Sequence, residues 1–274
     1  MGALAGYSFH EVQLRDVEGL RRLQVDDLYR HVDSYFEMGI VDRKAKCVVV
    51  SWKRQPVGYL CIGTQGTFRD VILQYYLLRD RRQDASIVLE ALRKEYACRS
   101  WLVCTQDSFA FPLMLDMDIP HSVCGYSFSA SDPTTLDEDR SDRTAFAVTG
   151  PDELEAAYAL FSQDNFYNGD IDGVRKDIEA RNLLSLHMDG DLVGIGFAVK
   201  IIRTPAFADV GMIVSPPYRR QGWGTHIIQS LIVHCHRAGL VPTACCGSDN
   251  SISRKTLEKA GFYLDGCQIE AVFH

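Results

Sequence analysis

No stretch of the chain approaches the roughly 18 unbroken apolar residues that a membrane-spanning helix needs. The start, Met1-Gly-Ala-Leu-Ala-Gly-Tyr-Ser-Phe-His-Glu, lacks the basic segment and apolar run of a signal peptide. Neither secretion nor a membrane partner is expected. CxxC spacing is also missing, and the nine cysteines are odd in number, so they read as reduced thiols of a cytoplasmic protein with no zinc signature. Positive charge is in short supply. Lys and Arg total 29 against 36 Asp and Glu, a formal charge of −7, which gives no global field for nucleic acid phosphates. A local basic loop could still hold one small anion.

What is present is ordinary globular material. With 274 residues, 46% apolar and 24% charged, the chain has enough for one or two domains. The stretch 131–143, rich in Ser, Asp, Pro and Thr and almost free of large apolar residues, reads as a linker between domains at 1–130 and 144–274.

The two halves follow one plan. Each begins with a short strand, Tyr7 to Leu14 or Thr144 to Thr149, followed by a charged helical region. A strand pair comes next, Cys47 to Gly63 or Leu183 to Lys200, with Val-Gly early in its second strand at Val57-Gly58 and Val193-Gly194. Asp189-Gly190-Asp191 is a hairpin signal. A strand then leads into Arg81-Arg82-Gln83 or Arg219-Arg220-Gln221, and a helix follows. In the second half, Ile227, Ile228, Leu231, Ile232 and Cys235 share one face of that helix, and Gly239 is placed to end it. Two mixed α/β domains in tandem are expected.

The most informative stretch is Val214-Ser-Pro-Pro-Tyr-Arg-Arg-Gln-Gly-Trp-Gly-Thr225. A strand ends, a loop carries two arginines, and two glycines stand at the mouth of a helix. Glycine allows a tight turn and close backbone approach. The first N–H groups of a helix point outward with the positive end of its dipole, an arrangement that takes a phosphate or pyrophosphate. A Walker-type loop needs Gly-Lys-Ser/Thr, which is absent, and a dinucleotide fingerprint needs a third glycine where Ile227 stands.

This stretch resembles the acyl-CoA-binding motif of the GNAT superfamily of N-acetyltransferases: Arg219, Gly222 and Gly224, preceded by Val214, Pro216 and Tyr218. A second family hallmark is similar over Asn250-Ser-Ile-Ser-Arg-Lys-Thr-Leu-Glu-Lys-Ala-Gly-Phe262. The resemblance implies an α/β fold of two tandem GNAT-like mixed-sheet domains, the second holding acetyl-CoA as co-substrate and passing its acetyl group to an amine. It implies that Gln221, Gly222, Trp223, Gly224 and Thr225 take the pyrophosphate, with charge from Arg219 or Arg220. Met212, Ile213 and Val214 would pair with the pantetheine amides, and Asn250 and Ser253 would line that arm. The first half resembles the same fold without the site, since Asp84 and Ser86 replace the glycines and Ser108 aligns with Asn250.

The chemistry is less fully specified. Many relatives supply an acid from a Tyr four residues before the closing Gly-Phe, and here that position is Leu257. Asp209 is a candidate base acting through water, and Asp249 is expected to cap the helix that follows it. Cys245-Cys246 admits a covalent acetyl-cysteine, although buried apolar cysteine is the preferred reading. His234 and His236 point to different helical faces and are not expected to share a metal ion. Aromatic residues beside Asp164, Asp170 and Asp172, between Phe161 and Gly173, would suit a cationic amine as acceptor, and a loop with helix-capping acids is the equal alternative. A non-catalytic acyl-CoA-binding or interaction module is the alternative, with Leu257 marking lost chemistry.

Overall fold

The structure, a computed structural model, describes residues 4–29, 33–41, 45–130, 144–163 and 170–274. The expected linker 131–143 and the candidate Asp164 lie outside the described residues. The chain forms two compact units. One comprises 1–126 with 247–249 and 266–274, and the other comprises 127–246 with 250–265.

In the first unit the elements are β1 (Tyr7–Val12), α1 (Glu18–Val25), α2 (Ser34–Val41), β2 (Lys46–Trp52), β3 (Gln55–Ile62), β4 (Val71–Leu77), α3 (Ala85–Glu95), β5 (Ser100–Cys104) and α4 (Ala110–Asp116). β1 to β4 are antiparallel neighbours in chain order, and β4 runs parallel to β5. Predominantly apolar strands such as β4 are expected where both sheet faces are covered, and every residue of β4, Gln74 included, is buried.

β6 (His121–Ala130) ends in the second unit, which continues with β7 (Thr144–Val148), α5 (Leu154–Gln163), α6 (Ile171–Glu179), β8 (Leu183–Met188), β9 (Asp191–Lys200), β10 (Phe207–Val214), α7 (Trp223–Arg237), β11 (Val241–Gly247), α8 (Ser251–Ala260) and the start of β12 (Phe262–Val272). β7 to β10 are again antiparallel in chain order, and β10 is parallel to β11. The same order of strands and helices thus occurs twice. The β8–β9 turn has Asp189 at φ 51° and Gly190 at φ 91°, the two left-handed residues of a tight hairpin. Gly239 ends α7 at φ 70°, and the Leu240 N–H closes back on the Cys235 carbonyl at 2.9 Å.

The repeated Val-Gly has a packing cause. A Cβ on Gly58 would overlap the Tyr76 carbonyl, and one on Gly194 would overlap the Ile213 carbonyl. Glycine lets the next strand approach at the same place in both units.

The units do not coincide with the contiguous halves expected from sequence. The end of β12 pairs antiparallel with β5, from Gln268 opposite Cys104 to Val272 opposite Ser100, so residues 266–274 complete the first unit. Residues 127–130 of β6 belong to the second unit, whose β11 lies next to β6 in the strand order. Strand pairing is made by backbone groups, so the sequence pattern of β12 shows that it is a strand without showing which edge it joins.

Candidate functional site

β10 and β11 run side by side only briefly. Phe207, Ala208 and Asp209 pair with Val241, Pro242 and Thr243, and no pairing continues beyond them among the described residues. On its other side β10 stays paired with β9 through Val214. Gly211, Met212, Ile213 and Val214 therefore border an opening between two splayed strands.

The loop after β10 is shaped by two left-handed residues. Arg219 is extended, and its Nε donates to the Val214 carbonyl at 2.9 Å, folding the guanidinium back over the strand end. Arg220 follows at φ 63° and Gly222 at φ 87°. The first helical bond of α7 runs from the His226 N–H to the Gly222 carbonyl at 3.1 Å, so the N–H groups of Trp223, Gly224 and Thr225 lie ahead of the ladder. Gln221 donates through Nε2 to the Pro217 carbonyl at 2.8 Å, holding the loop closed. A Cβ on Gly224 would sit 3.1 Å from Met212 Cε, so the helix mouth lies against the middle of β10. The structure thus brings Arg219, Arg220, Gln221, Gly222, Trp223, Gly224 and Thr225 together with Met212.

Asn250 is the N-cap of α8. Its side-chain oxygen accepts from the Ser253 N–H at 3.0 Å, which places Asn250 and Ser253 together just past the end of β11. This corrects the expectation for Asp249, because the capping oxygen comes one residue later. Leu257 is buried in the core, and no tyrosine takes its place on α8. Asp209 stands five residues before Val214, about 16 Å away along extended strand. It lies where the splay begins, opposite Thr243 on one side and Val199 on the other. By strand alternation Asp209 shares a face with Ile213, which packs with Leu160, Phe161, Val174 and Ile178 of α5 and α6. Met212 faces α7 instead.

Burial pushes the Cys235 thiol up to about 12, and Cys235 is a core residue of α7. All nine cysteines are thiols. Among the described residues, no three His, Cys, Asp or Glu side chains group as a metal site. Asp170 caps α6 by accepting from the Asp172 N–H, and Asp172 pairs with Arg175.

The first unit repeats this architecture but its opening is filled. β4 pairs with β5 only at Val71 and Ile72 and then diverges. Chain from the end of α1 enters that space: Leu28 bridges Asp107, and Ser108 donates through N and Oγ to the Asp27 carbonyl at 3.1 and 2.6 Å. The buried Asp27 carboxylate pairs with Arg82 and, at 3.0 Å, with Arg79. Arg82 stacks over Phe109 with its guanidinium 4.8 Å from the ring centre.

The equivalences differ slightly from the sequence alignment. Arg82 Nε donates to the Leu77 carbonyl as Arg219 does to Val214, so Arg82, and not Arg81, is the counterpart of Arg219. Asp107 caps α4 through the Ala110 N–H, so it replaces Ser108 as the counterpart of Asn250. At the mouth of α3 the N-cap is Asp84, at φ −95°, and it accepts a 2.7 Å hydrogen bond from the Tyr7 hydroxyl. Asp27 had no signal in the sequence, because its partners lie more than 50 residues away.

Comparison with known proteins agrees with this architecture. A family profile described as an acetyltransferase (GNAT) domain matches residues 13–131, and one described as the acetyltransferase (GNAT) family matches residues 150–262. Among solved structures, an acetyltransferase of the GNAT family from Colwellia psychrerythraea is 18% identical, with 97% of this chain and 100% of that one covered and a TM-score of 0.85. A tandem GNAT protein from the clavulanic acid biosynthesis pathway is 13% identical, with 96% and 97% covered and a TM-score of 0.65. A GCN5-related N-acetyltransferase from Sphaerobacter thermophilus is 14% identical, with 82% and 79% covered and a TM-score of 0.54. Among curated proteins none matches. At these identities the structural likeness is one of fold, whereas the two profiles together span most of the sequence. The chain belongs to the GNAT acetyltransferase family and carries two copies of its domain in tandem.

Proposed function

We propose that the second unit binds acetyl-CoA and transfers its acetyl group to a primary amine, and that the first unit binds no acyl-CoA. The observation that carries this reading is the pairing of an open strand splay with a helix mouth built on Gly222 and Gly224. The N–H groups from Gln221 to Thr225 suit a pyrophosphate, and Arg219 and Arg220 add positive charge. Pantetheine would run along Met212, Ile213 and Val214, whose outer edge is left unpaired by β11, with Asn250 and Ser253 on the other side.

The amine nitrogen attacks the thioester carbonyl, the carbon–sulfur bond breaks, and CoA leaves with its sulfur protonated. A free alkylamine titrates near ~10.4, so it must lose a proton before attack. Asp209, at the closed end of the splay and on the face toward α5 and α6, can accept that proton through water. A backbone N–H of β10 would stabilise the tetrahedral oxyanion. Leu257 offers the thiolate no proton, so water or a nearby hydroxyl serves.

The test combines calorimetry with acetyl-CoA and an assay for released thiol across amines, peptides and aminoglycosides. Saturable binding of one acetyl-CoA per chain and amine-dependent thiol release are expected. Absence of binding at millimolar ligand defeats the reading. Binding without release on any acceptor would favour a non-catalytic module, the outcome to which Leu257 points.

A further inference from the structure

Cys47 of β2 and Cys61 of β3 stand directly opposite each other in the antiparallel pairing, and both are buried. Their sulfurs are 3.6 Å apart and share a hydrogen bond. Directly opposed residues of antiparallel strands have Cα atoms about 4.5–5.5 Å apart, inside the roughly 4.4–6.8 Å that a disulfide spans. A disulfide here asks two sulfurs already in contact to approach by about 1.5 Å, with the backbone left in place.

The fold does not require sulfur at this place. Setting Val57-Gly58 on Val193-Gly194 brings Cys47 and Cys61 onto Leu183 and Phe197, which likewise face each other across β8 and β9. An ordinary apolar pair fills that register in the second unit.

A positive charge stands beside the thiols. Arg21 of α1 is buried and pairs with Glu37 at 2.5 Å, and its Nε donates to Gln74, the residue opposite Cys61 on β4. The hydrogen bond with Cys61 holds the Cys47 thiol below its ordinary range, against the effect of burial, and the Arg21 guanidinium acts in the same direction. Cys61 moves upward, because it keeps the shared proton and is buried. One sulfur is thereby made the nucleophile and the other the proton donor.

We propose that Cys47 and Cys61 form a dithiol site that hydrogen peroxide converts to a cross-strand disulfide. The Cys47 thiolate attacks one peroxide oxygen, the O–O bond breaks, and hydroxide takes up the proton that the thiol gave up, leaving as water. Cys61 then attacks the resulting sulfenic sulfur, the S–O bond breaks, and a second water leaves with the Cys61 proton. Two thiols lose two electrons, and one peroxide is reduced to two waters. Because both sulfurs are buried, the oxidant is a small one, and glutathione disulfide should leave the folded pair untouched. The site is independent of acetyl transfer.

The experiment exposes the whole folded chain to hydrogen peroxide, blocks the remaining thiols after unfolding, and maps tryptic peptides without reduction. Cleavage at Lys53 and Arg54 separates the two cysteines, so a disulfide links peptide 47–53 to peptide 55–69. That linked species, within one chain and lighter by two hydrogens, should account for most of the thiols lost, and dithiothreitol should restore both. Cys61→Ala should stop the reaction at a sulfenic acid on Cys47, captured by dimedone, and Cys47→Ala should leave Cys61 a thiol. If either variant does not fold, the map of the unsubstituted chain decides alone. Cys47 and Cys61 recovered as thiols while the half-buried Cys104, Cys124 and Cys267 are oxidised would overturn the proposal. So would Cys47 linked to one of those three in place of Cys61.

Discussion

Asp84 and Gly222 occupy the same station, the residue before the helix that follows the fourth strand of each unit, and they use it in opposite ways. Gly222 is left-handed and has no side chain, so the helix mouth faces outward. Asp84 supplies its own carboxylate, held by Tyr7. The neighbouring openings differ in the same sense. Between β4 and β5 stand Asp27, Leu28 and the Arg82–Phe109 stack, whereas β10 and β11 part without such a filling among the described residues. In the first unit carboxylates meet the cations and the helix mouth internally: Asp27 pairs with Arg82 and Arg79, and Asp84 stands at the mouth of α3. On the proposed function, a unit that keeps the same strands and helices is closed to a ligand by a few side chains at the contact points.

The largest effect should come from making the second unit like the first. Gly222→Asp brings a negative charge to the anion position and forces a non-glycine residue into a left-handed conformation. Acetyl-CoA affinity by calorimetry should fall at least ~100-fold, about 2.7 kcal/mol. Retained affinity would show that Asp84 is not what closes the first unit.

A smaller loss follows from emptying the first unit. Asp27→Ala removes a buried carboxylate from two guanidinium groups, both with some access to water. Denaturant unfolding should register about 2 kcal/mol of lost stability, less than for a fully buried pair because solvent screens the arginines. The acetyl-CoA stoichiometry should stay at one, because Leu28, Phe109 and Asp84 remain. A second molecule bound would break the comparison.

The smallest effect concerns Tyr7. Its hydroxyl is pushed up from the usual 10 to about 12, first by burial and then by the bond to Asp84. Between those values the unfolded phenol ionises and the folded one does not, so stability should fall as pH rises through that window. Tyr7→Phe should cost about 1 kcal/mol at neutral pH and flatten the alkaline decline, as followed by thermal unfolding at stepped pH. A decline of equal slope in the variant would place its origin elsewhere.

The elements legible in the sequence are those set by local rules. Apolar spacing fixed α7, Gly239 marked its end, and Arg219, Gly222 and Gly224 disclosed a helix mouth because glycine at such places has a backbone reason. At Arg82 and Asp107 the repeated pattern is out of step by one residue, because the two units have loops of unequal length and the hydrogen bonds alone reveal the equivalence. Asp249 and Asn250 are adjacent capping residues, and only geometry chooses between them. The Asp27 plug and the placing of β12 depend on contacts between distant residues, which no local pattern encodes.

The last strand carries a consequence for how the protein is made. Residues 266–274 complete the sheet of the first unit: β12 pairs with β5, the Val272 N–H bonds the Pro120 carbonyl, and the Phe273 N–H bonds the Arg99 carbonyl. A ribosome that has finished residues 1–126 has therefore released an unfinished sheet, with β5 still exposing a hydrogen-bonding edge. That edge must wait through synthesis of the whole second half, so the usual economy of folding one domain while the next is translated is denied to this chain. Pairing between strands so far apart in sequence slows folding in general, because a long loop must close before the contacts form. Removing residues 266–274 should injure the first unit before the second, so the unit proposed to bind no acyl-CoA depends on chain made after the other unit is complete.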